Sequence, residues 1–227
     1  MIKDQLTGIR SYLGPNVKLI AVSKTHPMER IVEAYEAGQR DFGENKVQEL
    51  VAKYEALPKD IRWHMIGHLQ SNKVKYIAPF VSLIHGVDSV KLLQEINKQG
   101  QKVKRTIPCL LQFHIAQEDT KFGLSLEEAT TFLSSPDFQA LKHIQLYGVM
   151  GMATFTEDTN QVRREFQSLH SIFNTLKSVH FSTQDEFSEI SMGMSDDYAI
   201  AVEEGSTMVR VGSAIFGQRP PRANIDA

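Results

Sequence analysis

The sequence has one cysteine, Cys109, in 227 residues. A lone thiol forms no internal disulfide and builds no thiolate metal cage. No run of about 18 apolar residues exists, which excludes a transmembrane helix. The N-terminus, MIKDQLTGIR, is polar and lacks the apolar stretch of a secretory leader. An excess of positive charge is also missing: 25 Lys and Arg stand against 27 Asp and Glu, a net charge of −2. A chain balanced in this way has no electrostatic footprint for nucleic acid. H-E-x-x-H is absent. His64 and His68 are four apart, but Gly67 and a strand end separate them, so no metal site is expected. There is no low-complexity tract and no internal linker. With 41% hydrophobic and 23% charged residues, the composition is that of an ordinary globular protein. The expected protein is soluble, compact and cytoplasmic.

What is present is a rhythm of strand-like and helix-like segments. Residues 17–23 (VKLIAVS) are short, apolar and bounded by turn residues, as in a buried strand. Residues 27–38 read as a helix that Pro27 opens and Gly38 stops. Further strands are predicted at 40–43, 63–67, 82–87, 107–115, 143–150, 188–191 and 208–212. Helices are predicted at 45–57, 70–78, 89–99, 124–135, 158–178 and 196–204, with a last short turn at SAIFG and a leading helix over 2–12. Eight strands, each followed by a helical segment, predict a parallel sheet of right-handed crossovers. Eight such units close into a (β/α)₈ TIM barrel, and about 28 residues per unit lies near the small end of that fold's range. A doubly wound open sheet is the alternative, although no G-x-G-x-x-G follows the first strand. The prediction is one α/β domain over residues 1–227, with a Pro-rich tail at 218–227 that frays.

Active sites of this fold lie where the strands end. The first strand delivers Lys24 at the barrel mouth. Closure makes the first and last strands neighbours, which places a second cation, Arg210, nearby. Desolvation and like charge both lower a lysine's pKa and make its amine nucleophilic towards an aldehyde. A solvated lysine just past a strand end is the other reading. The turns Ser191-Met192-Gly193 and Gly212-Ser213 each precede a helix start, where barrels bind phosphate. Read without a ligand, they are ordinary turns, with Ser195 capping the helix at 196–204. Arg210 lies within a strand between two valines. Pointing inward it needs an acceptor or ligand, because an unpaired buried charge is costly; pointing outward it makes a surface ion pair. His26, Glu44, Asp88, Asp196 and Asp197 are possible acid–base groups, the last two also explained as first-turn helix carboxylates. Met150, Met152, Met192 and Met194 crowd the mouth as core, or as a soft wall for a flat ring. Cys109 reads as core. A lysine nucleophile beside a phosphate cup suggests a phosphorylated aldehyde: pyridoxal 5′-phosphate (PLP), or a sugar phosphate in a Schiff-base aldolase.

The blocks AVSKTHP (21–27), FGENKVQE (42–49), WHMIGHLQSNK (63–73), GVMGMATF (148–155), SMGMSDDY (191–198) and VRVGSAIFG (209–217) occur in order across essentially the whole chain. On them the chain resembles the PLP homeostasis protein family, also called the proline synthase co-transcribed homologues, which is similar to the barrel domain of bacterial alanine racemase. The resemblance implies a fold-type III PLP barrel with Lys24 as the internal Schiff base. It implies that Ser191, Gly193, Gly212 and Ser213 hold the phosphate and that Arg210 faces the pyridine nitrogen. It also implies Asn45 as a ring-side contact with Met192 nearby. A guanidinium accepts no proton, so a ring facing Arg210 is a weak electron sink. One departure is Gly86-Val87-Asp88, where Ser-Val-Asp is expected. Alanine racemase carries a further β domain that supplies a tyrosine across a dimer. The chain's end at 227 sets the expectation that this base is missing and the protein is a monomer. Two functions are expected: a PLP carrier and buffer with apo-PLP enzymes as transient clients, or a racemase-like enzyme using Asp88, His26 or Tyr198 as base.

Overall fold

A computed structural model of the chain describes residues 1–117 and 122–218. The expected frayed tail falls, beyond Gln218, outside the described residues. Helix α1 (Ile2–Leu13) leads. The strands are β1 (Lys18–Val22), β2 (Asp41–Glu44), β3 (Arg62–Met65), β4 (Leu83–Val87), β5 (Ile107–Gln112), β6 (Ile144–Met150), β7 (Glu189–Ser191) and β8 (Met208–Val211). They form one closed barrel in chain order. All pairs are parallel, and β1 bonds to both β2 and β8. The predicted barrel is therefore present, and closure excludes the open sheet.

The connecting helices are α2 (Met28–Glu36), α3 (Val47–Ala56), α4 (Val74–Ile77), α5 (Val90–Lys102), α6 (Leu126–Leu133), α7 (Pro136–Gln139), α8 (Thr159–His180), α9 (Tyr198–Glu203) and α10 (Ser213–Phe216). Most predicted segments agree to within one to three residues at each end. The helix predicted at 70–78 is a 3₁₀ turn, Ser71–Lys73, running into the single turn of α4. The fifth strand stops at Gln112 rather than 115, because Phe113 leaves the ladder to bridge Leu124. The segment after α6 adds α7, which Pro136 opens while the Ser135 hydroxyl accepts the Phe138 N–H; both are ordinary helix-start signals.

Strand alternation sorts the side chains into two layers. One face of each strand packs against the helices in the large core, with Phe42, Trp63, Ile84, Cys109, Val209 and Val211 among its members. Cys109 is buried there, as expected, and burial pushes its thiol well up from the ordinary value. The other face fills the barrel with a small apolar cluster of Ile20, Leu83, Leu110, Met150 and Met208. Among the described residues no helix is long and apolar enough to cross a membrane.

Candidate functional site at the barrel mouth

Lys24 stands two residues past the end of β1, in a turn, and is half-buried. The turn that presents it is braced from behind. Ser23 is fully buried and donates to Glu44 Oε1 at 2.6 Å. The Lys53 ammonium, from α3, donates to the Ser23 carbonyl at 2.8 Å, to Glu44 at 2.7 Å and to Glu49 at 2.6 Å. Glu49 also accepts the Thr25 N–H at 2.7 Å. The residues on both sides of Lys24 are thus fixed by one buried ion cluster. Thr25 sits at φ 66°, a strained backbone for a β-branched residue that persists only where surrounding contacts hold it. Burial pushes the Glu44 carboxyl up to about 7 in spite of Lys53, and its Oε2 has no partner.

Arg210 points into the barrel, because Val209 and Val211 face the helices. It is 3% exposed. Its Nη1 donates to Ser191 Oγ at 2.6 Å and its Nη2 to the Gly151 carbonyl at 3.0 Å. Burial lowers its pKa to about 10, so it stays charged at neutral pH. β1 and β8 are neighbours, as expected. Ile20 is the residue paired with Arg210, so the Arg210 backbone lies level with a position four residues before Lys24.

The turns after β7 and β8 are clamped together. The Gly193 carbonyl accepts the Arg210 N–H at 2.9 Å. The Ser195 hydroxyl accepts the N–H groups of Gly212 and Ala214 at 3.2 and 3.4 Å. Ser195 was expected to cap the helix at 196–204, and this is corrected: α9 begins after Asp197, and Ser195 serves the start of α10 instead. Two glycines shape the cup. Gly193 has φ 98°, and a Cβ there would lie 2.6 Å from Ala201 Cβ. A Cβ on Gly212 would stand 3.1 Å from the Val22 carbonyl.

The structure places two of the expected contact residues as follows. The Ser191 side chain lies inside the barrel, held by Arg210 and by His85 Nδ1 at 2.9 Å, so its hydroxyl is engaged away from the Gly212-Ser213 turn. Met192 alternates to the outer face and is fully buried in the large core, so its side chain does not line the mouth. Asn45 is half-buried at the rim, in a recess with His68, Gln70 and Lys73. Ser213 opens α10 beside Gly212. Of the expected acid–base groups, Asp88 accepts from His68 at 2.8 Å. The Tyr198 ring packs edge-on against Tyr12 of α1, and the His26 ring lies 5.1 Å from that of Phe216. Asp197 Oδ1 accepts the Met194 N–H at 2.5 Å, and burial raises its pKa.

The sequence of residues 1–220 matches the family model described as alanine racemase, N-terminal domain. The pyridoxal phosphate homeostasis protein of Pasteurella multocida is 41% identical over 206 residues, covering 89% of this chain and 87% of that one. The mouse protein of the same name is 39% identical, covering 89% and 77%. PipY of Synechococcus elongatus, solved with PLP bound, is 36% identical, with a TM-score of 0.85 over 96% of this chain and all of that one. Alanine racemase from Bartonella henselae shares only the fold, at 15% identity and a TM-score of 0.70 over 60% of its length. With its barrel, its mouth lysine and these relatives together, the chain belongs to the pyridoxal phosphate homeostasis protein family, within the alanine racemase N-terminal domain family.

Proposed function

We propose that this protein binds PLP at the barrel mouth and serves to hold and supply it in the cytoplasm. The observation that carries the reading is the juxtaposition at one mouth of a braced lysine, a buried guanidinium and a glycine-lined cup of N–H groups. The residues present fit the group. The missing Cβ at Gly193 and Gly212 lets the two turns pack closely on Ala201 and Val22, and the Gly212 and Ala214 N–H groups already converge on one oxygen, that of Ser195. When bound, PLP would supply an aldehyde, the electrophile for which the Lys24 amine is the nucleophile.

The chain's own residues divide the remaining work. Gly193, Ser195, Gly212, Ser213 and Ala214 hold the phosphate by main-chain N–H and hydroxyl groups. Arg210 would face the ring nitrogen as a donor that keeps its proton, because a guanidinium stays protonated at neutral pH. Ser191 contributes by fixing Arg210 and Asn45 by its place at the rim, while Met192 supports the turn from the outer core. Lys53, Glu44 and Glu49 orient the Lys24 turn. Of the groups that could move a proton at a substrate carbon, Asp88 accepts from His68 and the Tyr198 ring packs on Tyr12. Our reading is of a monomeric carrier with apo-PLP enzymes as transient clients, in preference to a racemase.

Titration of the purified protein with PLP tests the reading. A visible absorption band that saturates near one equivalent is expected for wild type and is lost in Lys24→Ala. No band in wild type would overturn the assignment. For the carrier role, the loaded protein is expected to activate an apo-PLP enzyme while slowing PLP loss to a competing amine. Deuterium exchange at Cα of an amino acid, lost with Lys24, would instead favour the racemase-like reading.

A further inference from the structure

A line of polar side chains crosses the inside of the barrel from Arg210 to the opposite end. Ser191 Oγ lies 2.9 Å from His85 Nδ1, His85 Nε2 lies 2.9 Å from His64 Nδ1, and His64 Nε2 lies 3.0 Å from Asp41 Oδ1. Asp41 is held at the far end by Arg62, through Nε at 2.8 Å and Nη2 at 2.6 Å. The line draws on β8, β7, β4, β3 and β2 in turn. His85 is fully buried and His64 is 3% exposed.

The donors and acceptors can be assigned from one end. Although burial alone would raise it, the Asp41 carboxyl is held well below the usual carboxylate range by Arg62 and His64. An ionised carboxylate only accepts, so His64 Nε2 carries the hydrogen. If His64 is neutral, its Nδ1 accepts, and His85 Nε2 must donate. If His85 is neutral too, its Nδ1 accepts the Ser191 hydroxyl proton. The Ser191 oxygen is then left as a pure acceptor for Arg210 Nη1–H. Every bond is satisfied, and all run in one direction.

Neutral rings are what the surroundings favour. Burial lowers the pKa of both histidines, His85 the more strongly. The charges facing them are the cations Lys18 from β1, Arg62 from β3 and Arg210 from β8, against the single carboxylate of Asp41. A proton added to His85 Nδ1 would also reverse the Ser191 bond and strand the hydroxyl hydrogen.

We propose that Ser191, His85, His64 and Asp41 are positioning residues for Arg210: a one-way hydrogen-bond chain, anchored by the Asp41–Arg62 pair, that fixes where the guanidinium sits at the mouth. The proposal rests on the reading of Arg210 as the cofactor's ring partner. Removing His85 frees the Ser191 hydroxyl to donate elsewhere, and Arg210 loses an oriented acceptor in a site where a misplaced charge is costly.

Two measurements test it, one of them independent of PLP. Two-bond ¹H–¹⁵N spectra of the ¹⁵N-labelled full chain without PLP, assigned with His64→Gln and His85→Gln, report the ring tautomers. Both rings are expected as neutral Nε2–H tautomers with bare Nδ1 at pH 7. An Nδ1–H on either ring, or a doubly protonated ring, would overturn the chain. Second, His85→Phe is expected to raise the Kd for PLP about tenfold, the effect of weakening one buried charged hydrogen bond, while Lys98→Ala on the exposed face of α5 leaves it unchanged. Unchanged affinity in a folded His85→Phe variant would overturn the positioning role. Failure of wild type to bind PLP would instead sink the cofactor reading, and the tautomers would still decide the direction of the chain.

Discussion

At the scale of single residues, the site depends on two buried lysine-end and arginine-end arrangements that do different things. Glu44 is the residue whose charge state governs the Lys24 turn. Its pKa is raised in the fold to about 7 by burial, against about 4.3 for an unfolded glutamate. A raised carboxyl contributes stability below the unfolded value and loses it as pH rises through the folded one. Wild type is therefore expected to lose urea stability between about pH 4.5 and 7 relative to Glu44→Gln, which cannot titrate, and to level off above that. Parallel curves for the two proteins would contradict this. The Ser195 hydroxyl collects two main-chain N–H groups. Ser195→Ala is expected to weaken PLP binding about tenfold, while Met192→Leu, in the outer core, leaves it unchanged; equilibrium titration of both variants checks this. The positions of Lys24 past the end of β1 and of Arg210 inside the barrel were legible in the sequence for a simple reason. Each sits beside an apolar run whose alternation or ending fixes where it must point. Ser195 was not, because a serine two or three residues before a helix reads locally as that helix's cap. Its actual partners are 17 and 19 residues away.

At the scale of elements, the barrel positions the cup through close packing of the turns after β7 and β8. Gly193 holds that packing, because only a residue without Cβ fits at φ 98° against Ala201 of α9. Gly193→Ala is expected to cost about 1–3 kcal/mol of stability. It is also expected to weaken PLP binding, since α9 must shift away from the cup. Urea unfolding and PLP titration together test this, and a variant with wild-type values in both would show that the turn has slack. The alternation of strands and helices was legible from periodicity and punctuation, and the eight-unit count carried the closed barrel with it. The ends of elements were less so. β5 ends early because Phe113 finds a partner in Leu124, a contact that no local pattern announces. The Ser191, His85, His64 and Asp41 line was invisible for the same reason. Its members come from four strands, and their registers exist only once the sheet has closed.

At the scale of the whole molecule, a closed parallel barrel has no edge from which to open. Cys109, at the centre of β5 and fully buried, reports on that property. Its labelling by a thiol reagent is expected to be at least about 10³-fold slower than in the unfolded chain and to track the global unfolding free energy. Faster labelling would mean that β5 opens locally. Bound PLP is expected to slow the labelling further, since a ligand that binds only the folded state stabilises it. The account's central claim is that this barrel holds PLP through one lysine, in a mouth that contains others. Borohydride reduction of the PLP-loaded protein, followed by peptide mass mapping, tests it most directly. The account predicts a single pyridoxyl adduct on the peptide containing Lys24. An adduct on another lysine, such as Lys53 or Lys73, with Lys24 unmodified would contradict it.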